Sequence, residues 1–442
     1  MSKIQVVWFR DLTRWDTEYF MGNHSLNSKF KLEYLSKILT PRKEKIKPDE
    51  YDGITPIVAK IPFQSSHIEL RKEPKTRMDM YAIYKDDLLV SNINFHQGAI
   101  AICKENKIYA STHYQPYLIN NALVNSEFLV LVLKQSSYQQ YISTKKTRGI
   151  KTESNFNFIK NLQIPLPPLE IQNKIVADIH AVQDKIKALQ EEEKRLKDEI
   201  EAYIYITLGL QKPQNKVKQK VFVVRFKDLE RWDISYNQNI YKQEGKNTKI
   251  DTYLLQELCD INPSVDMKEL IKQDKNVSFI PMEVLENDGK SFAPLSKKAS
   301  LYKGFTKFQN DDLLWAKITP CMQNKKSVVV SELENGVGFG STEFFVLRSK
   351  DSHKTDIHFI LQILRTDLVI ERAKLHFKGS AGQQRVPKDF LENLQIPLPP
   401  LDTQKEIVRH IEQKNSYIQK LTQERIALRN SIESKLQEML MD

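Results

Sequence analysis

The sequence predicts an α+β fold: two mixed α/β globular domains joined by two long antiparallel coiled-coil helices, related by a pseudo-twofold internal duplication. Three observations carry this expectation. Blocks of sequence recur in one order along the chain. A heptad pattern of apolar residues follows each copy of the longest block. The remaining stretches alternate strand-like and helix-like apolar runs.

The repeat is the strongest signal. Asn161 to Leu169 reads NLQIPLPPL and recurs unchanged as Asn393 to Leu401. Gln172, Ile175 and Val176 extend the match to Gln404, Ile407 and Val408, all 232 positions on. Upstream, Asp11-Leu12-x-Arg14-Trp15-Asp16 recurs at Asp228 to Asp233, 217 positions on. Between these, Asp86 to Leu89 (DDLL) recurs as Asp311 to Leu314, and Ser111-Thr112 as Ser341-Thr342. Order is kept and the offset only grows, so the second copy holds about 15 extra residues. A period this long is a domain duplication, not a solenoid. The expected boundaries are a first globular domain at 1–160, a joint and helix at 161–210, and a linker at 211–220. A second globular domain follows at 221–392, with its joint and helix at 393–442.

The globular parts read as mixed α/β. Leu88 to Val90, Ala99 to Ile102, Val328 to Val330 and Phe344 to Leu347 are strand-like. Ser126 to Tyr141 and Ile357 to Ala373 carry helical patterns. Gly336-Val-Gly-Phe-Gly340 reads as a hairpin turn.

Each joint, IPLPPL, holds three prolines. They fix φ and bias their neighbours away from helix, which gives a stiff extended approach to the helix. Pro168 and Pro400 fall where the first helical turn should begin, a position that tolerates a missing N–H. An SH3-type proline ligand is the rival reading. The same motif standing twice before a helix favours a rigid joint.

The first helix spans roughly Glu170 to Leu210. Its seam is Ile175, Ile179, Val182, Ile186, Leu189, Leu196, Ile200 and Tyr203, interrupted by Glu193. Steps of four and three over four heptads are a coiled-coil pattern. The second helix places Ile407, Ile411, Ile418, Leu421, Leu428 and Ile432 likewise, with Lys414 and Arg425 interrupting. That weaker seam needs the first helix as its partner.

Composition bounds the partners. The 442 residues carry a formal net charge of +11. The first helix segment, 169–210, has net −3, the second, 401–442, has 0, and the linker has +4, which leaves +10 on the globular parts. A basic excess there favours a polyanion, nucleic acid before an anionic membrane surface. No apolar run approaches the ~20 residues that span a bilayer, and the first residues are charged where a signal peptide needs an apolar centre. Cys103, Cys259 and Cys321 stand far apart with no CxxC pair. That usage fits a reducing cytoplasm.

Candidate DNA-binding side chains lie in loops at matched places. In the first copy they are Asn92, Asn94, His96 and Gln97 beside Phe95, then Lys145, Lys146, Arg148 and Lys151. In the second they are Lys317, Gln323, Asn324, Lys325 and Lys326, then Lys378, Gln383, Gln384 and Arg385. Cations suit phosphates and carboxamides suit base edges. Further basic residues are Lys297-Lys298 and Lys374. Catalytic motifs are missing. Asn262-Pro263-Ser264 lacks the aromatic ending of an amino-methyltransferase motif, there is no GxxxxGK[ST] loop, and the nine histidines show no metal spacing. A non-catalytic chain is expected, with neither a catalytic nor a metal site.

The duplicated block NLQIPLPPLEIQNKIV leading into a heptad helix resembles the repeated region of type I restriction-modification specificity subunits. The DDLL block and Gly340-Ser-Thr-Glu-Phe344 resemble strands of their target-recognition domains. The resemblance covers essentially the whole chain. It implies that each domain reads one half of a split DNA site while the helices hold the halves apart. Two methyltransferase subunits would dock on the helices, and motor-nuclease subunits would join them in phage defence. S-adenosylmethionine, ATP and Mg2+ would belong to those partners, with no cofactor in this chain. Ile175 to Tyr203 rises roughly 43 Å at helical pitch, about one duplex turn or slightly more. Exchange of loop 91–97 or of 316–324 is expected to alter one half-site only. The first copy has His113-Tyr114 where the second has Glu343-Phe344, so its reading surface departs from the pattern. Two alternatives stay open: the specificity subunit of a related type II system, and a coiled-coil scaffold whose domains bind protein.

Overall fold

A computed structural model describes residues 26, 28–63, 65–73, 76–145, 155–210, 225–226, 250–286, 293–380 and 382–440. The linker 211–220 and both copies of the DLxRWD block lie outside the described residues. The chain forms two compact units, Met1–Gln190 with Thr422–Asp442, and Glu191–Leu421. These divisions cut both long helices near their middles, whereas the sequence blocks end at the joints.

In the first unit, an antiparallel sheet has the strand order Leu39–Pro41, Tyr114–Ile119, Leu88–Ser91, Ile100–Ile102. The expected strands at 88–90 and 99–102 are its inner strand and one edge. Leu88 and Val90 face a core with the helix Ser126–Lys134, and Leu89 faces a second core with Ala101 and Ile108. Both faces are therefore covered, which explains the unbroken apolar run Leu88-Leu-Val90. A smaller sheet orders Lys45–Ile46, Met80–Tyr84 and Lys107–Ser111. The helix expected over 126–141 is two helices, Ser126–Lys134 and Ser136–Lys145. Gln135 between them is extended, at φ −62° and ψ 136°.

The second unit repeats the main sheet: Cys259–Ile261, Phe344–Ser349, Leu313–Ala316, Ser327–Val329. Its smaller sheet has four strands, Leu295–Lys298, Asn276–Ile280, Val337–Gly340 and Thr306–Gln309. The glycine-rich stretch is thus a central strand there and not the expected hairpin turn; only Gly336, at φ 74°, turns the chain. Glycine is needed because neighbours approach closely. A Cβ on Gly340 would lie 2.2 Å from the Ile280 carbonyl oxygen, and one on Gly338 2.7 Å from that of Ser278. The helix expected over 357–373 is also split, into Ile357–Leu364 and Asp367–Leu375. Thr366 makes the break, since its hydroxyl caps the second helix by accepting from Val369 N at 3.4 Å.

The joints are built alike. Leu32–Tyr34 pairs with Gln163–Pro165 in the first unit, and Thr252–Leu254 with Gln395–Pro397 in the second. The helices Leu169–Leu208 and Leu401–Leu440 then start directly after the last proline. Pro168 and Pro400 stand one position before the helix, and their carbonyls accept from Gln172 N and Gln404 N at 3.0 Å each.

The helix seams are apolar as expected, but their domain-proximal turns belong to the globular cores. Ile175 and Ile179 pack with Leu436 and Leu440 in the core of the first unit. Ile407 and Ile411 pack with Ile204 and Leu208 in that of the second. Val182, Ile186, Leu196, Ile418 and Leu421 are buried, while Leu189, Ile200, Leu428 and Ile432 are half-buried. Within the second unit the pairing is antiparallel: Glu199 meets Lys414 at 2.7 Å, and the Tyr203 ring lies 4.1 Å from that of His410. Lys414, an interruption of the seam by sequence, is thus matched by a charge on the other helix. Among the described residues no helix is long and apolar enough to cross a membrane.

Candidate nucleic-acid interface

The second unit brings two of its candidate segments together. The loop 317–326 connects Leu313–Ala316 to Ser327–Val329 and lies against the segment 378–386. Thr319 N donates to Gln384 O and Val386 N to Lys317 O, both at 2.9 Å. Arg385 forms bridge pairs with Ile318 and Lys378. Its guanidinium grips Glu343 in a forked ion pair, Nη2 to Oε1 at 2.8 Å and Nε to Oε2 at 2.9 Å. That carboxylate holds the guanidinium pKa above its usual value.

Most cations of this cluster hold the loop in place. Lys325 pairs with Asp367 at 2.7 Å, and Lys326 Nζ donates to Met282 O at 3.0 Å. Lys317 Nζ sits 5.1 Å from the Phe345 ring centre, and Lys378 lies 3.7 Å from Asp389. The carboxamides fall on the outside: Gln323, Asn324 and Gln383 are exposed and Gln384 half-buried. The result is a loop tip rich in amides on a base fixed by ion pairs.

In the first unit, the matching loop connects Leu88–Ser91 to Ile100–Ile102. Asn92 N donates to His113 O at 2.8 Å, as Lys317 N does to Glu343 O at 2.9 Å. The side chain of Asn92 is buried and donates to Thr112 O at 3.2 Å. Phe95 is fully buried, so it fills the core beneath the loop instead of offering a stacking face. Asn94 and His96 are half-buried and Gln97 is exposed. Lys145, half-buried, lies 5.5 Å from the Tyr141 ring centre. Lys146, Arg148 and Lys151 lie outside the described residues.

The structure also explains two repeated residues whose roles sequence reasoning missed. Asp87 and Asp312, the second aspartates of the DDLL blocks, are buried, and each binds one arginine through two bonds. Arg42 reaches Asp87 at 2.7 and 2.9 Å, and Arg348 reaches Asp312 at 2.7 and 2.8 Å. Arg42 follows the edge strand Leu39–Pro41 whereas Arg348 lies within Phe344–Ser349, so repeat matching pairs the aspartates and not their partners. Gln172 and Gln404 are wholly buried clamps. Gln172 accepts from Asn125 N at 2.8 Å and donates to Leu123 O and Pro167 O at 3.0 and 2.8 Å. Gln404 accepts from Asp356 N at 2.9 Å and donates to Lys354 O and Pro399 O at 2.9 and 2.8 Å. Their spacing behind PLPPL was visible, but the buried carbonyls they serve were not.

Elsewhere Lys297 lies 3.5 Å from the Phe279 ring centre, Lys298 pairs with Asp274 at 2.8 Å, and Lys374 with Glu371 at 2.5 Å. Burial pushes the Cys103 thiol up to about 11 and Cys259 up to about 12, which makes poor nucleophiles of both. Among the described residues no cluster of histidine, cysteine and carboxylates has the arrangement of a metal site.

Comparisons with known proteins agree with the duplication. A family model described as the type I restriction modification DNA specificity domain matches residues 26–202 and again 247–430. The chain is 36% identical over 172 residues to the type I restriction enzyme EcoAI specificity subunit of Escherichia coli, covering 38% of this chain and 28% of that protein. It is 36% identical over 156 residues to the EcoEI specificity subunit of the same organism, covering 35% of this chain and 26% of that protein. Each match therefore spans little more than a quarter of the relative's length. A solved chain from work on complex assembly and conformational transition of the type I R-M system superposes with a TM-score of 0.55 at 16% identity. It covers 94% of this chain and 98% of that one, a likeness of fold.

Proposed function

The chain belongs to the type I restriction modification DNA specificity family, and from that premise we propose that it is the non-catalytic DNA-binding subunit of a type I restriction-modification complex. Each globular domain reads one half of a bipartite site in double-stranded DNA. The two long helices set the spacing between the halves and dock two methyltransferase subunits, which motor-nuclease subunits then join. S-adenosylmethionine, ATP and Mg2+ act on those partners.

The observation that carries this reading is the double family match laid over a double structural frame. The same sheet order and the same glutamine clamp occur in both copies, and both place a loop next to the repeated DDLL strand. A scaffold that binds protein accounts for the duplication equally well. It does not account for +10 of net charge on the globular parts.

Methylome sequencing tests the proposal in cells carrying the chain with its methyltransferase subunit, beside cells lacking the chain. The expected result is a split motif methylated in both arms and lost with the chain. No chain-dependent motif, with the methyltransferase active, would favour the scaffold. A motif read by a complex without motor-nuclease subunits would favour a related type II system.

A further inference from the structure

We infer that Asn324 is a base-reading residue of the second domain and that the base it reads is an adenine. The inference rests on the DNA-reading role proposed above.

The loop that carries Asn324 is anchored on every side. Met322, almost fully buried, plugs it into the core beneath. Backbone bonds from Met322 N to Ile318 O, Asn324 N to Pro320 O and Lys326 N to Cys321 O wind it into a tight turn. The flanking cations are spent on Asp367 and on Met282 O, and Glu343 occupies Arg385 next door. A reading group needs such support, because a side chain on a mobile loop loses the geometry of paired hydrogen bonds.

Two amides occupy the exposed tip. Gln323 Oε1 accepts from the Thr319 hydroxyl at 2.7 Å, which commits that oxygen and leaves the NH2 group of this exposed side chain as a donor. Asn324 is exposed, and its carboxamide makes no hydrogen bond among the described residues. It offers a donor and an acceptor side by side. In the major groove only adenine presents the complementary pair, an N7 acceptor beside an N6 donor. Guanine shows two acceptors there, cytosine one donor, and thymine one acceptor with a methyl group. The Gln323 donor then suits a neighbouring acceptor, a purine N7 or a thymine O4.

The test is the methylome of the chain with its methyltransferase subunit, wild type against Asn324→Ala and Asn324→Gln. The Asn324→Ala chain is expected to make one adenine position of one arm degenerate, with discrimination there falling roughly 5- to 150-fold. The other arm and the spacing stay as in the wild type, and Asn324→Gln restores part of the preference. An unchanged motif, or degeneracy at a G·C pair, overturns the assignment while the DNA-reading role stands. A wild-type chain with no split motif overturns that role and this assignment with it. A variant that has failed to fold loses both arms at once, and the partial rescue by Asn324→Gln separates that outcome from loss of a contact.

Discussion

Replacing Gln404 by alanine should loosen the joint between the second domain and its helix. The side chain is wholly buried and makes three hydrogen bonds, from Asp356 N and to Lys354 O and Pro399 O, all at 2.8–2.9 Å. Truncation leaves one amide and two carbonyls without that partner. A buried polar group left unpaired costs about 1–3 kcal/mol. The Pro399 bond is buried and the other two are part-buried, so the loss is about 2–3 kcal/mol with the cavity contribution included. The damage also has a definite place. Asp356 caps the helix Ile357–Leu364 by accepting from His358 N at 2.8 Å, so freeing its backbone disturbs that cap. With an m-value of ~3 kcal/mol/M for a domain of this size, the urea midpoint should fall by about 0.7–1 M. Hydrogen exchange of the Asp356 and His358 amides should accelerate in step. The reasoning fails if the midpoint moves by less than about 0.3 M and the Asp356 amide keeps its protection. Gln172→Ala should do the same in the first unit, through the Asn125 cap of Ser126–Lys134.

Three further outcomes follow from the frame. Asp312→Ala leaves the Arg348 guanidinium without its forked partner, and the loss should be about 2–3 kcal/mol by denaturant unfolding, because that arginine is only a quarter exposed. Gly340→Ala forces a Cβ to within 2.2 Å of the Ile280 carbonyl oxygen, so the strand must shift; a loss of about 3 kcal/mol or an insoluble product is expected. By contrast, the Lys414–Glu199 pair is partly exposed, and a double-mutant cycle on it should return no more coupling than an ordinary surface ion pair despite the 2.7 Å contact.

The sequence made the duplication, the joints and the helices legible because their signals are local or periodic. Prolines restrict their own backbone, and a seam repeats every three or four residues. The main-sheet strands were legible for the same reason, since Leu88-Leu-Val90 must be covered on both faces. What escaped depends on partners distant in the chain. Gly338 and Gly340 read as a turn because nothing local reveals how closely the strand Asn276–Ile280 and Phe308 approach them. The helix over 357–373 read as continuous because the apolar period runs across Thr366, whose capping hydroxyl stops it. Among the candidate site residues, positive charge was a poor guide to exposure. Lys325 and Lys326 fix the loop they sit on, and Asn92 serves it from inside.

The two copies differ in a pattern that bears on function. The joint is identical over nine residues, and the buried aspartate and glutamine recur with the same bonding. The loops beside the DDLL strands share a backbone anchor and a buried apolar plug, Phe95 or Met322, but neither their sequence nor the build of their tips. One is plugged by Phe95 and buries its asparagine, while the other is braced by lysines and lifts Gln323 and Asn324 outward. If the loops merely supported the sheet, the forces that fix the rest of the frame would bear on both alike. Divergence at the exposed tips is what reading two different sequences with one frame would require. Grafting 317–326 into the first unit in place of 92–99 should therefore carry the second arm's preference into the first. The spacing should stay unchanged, because the joints and helices proposed to set it are untouched. Restriction of the change to one arm is the outcome that distinguishes a reading loop from a structural one.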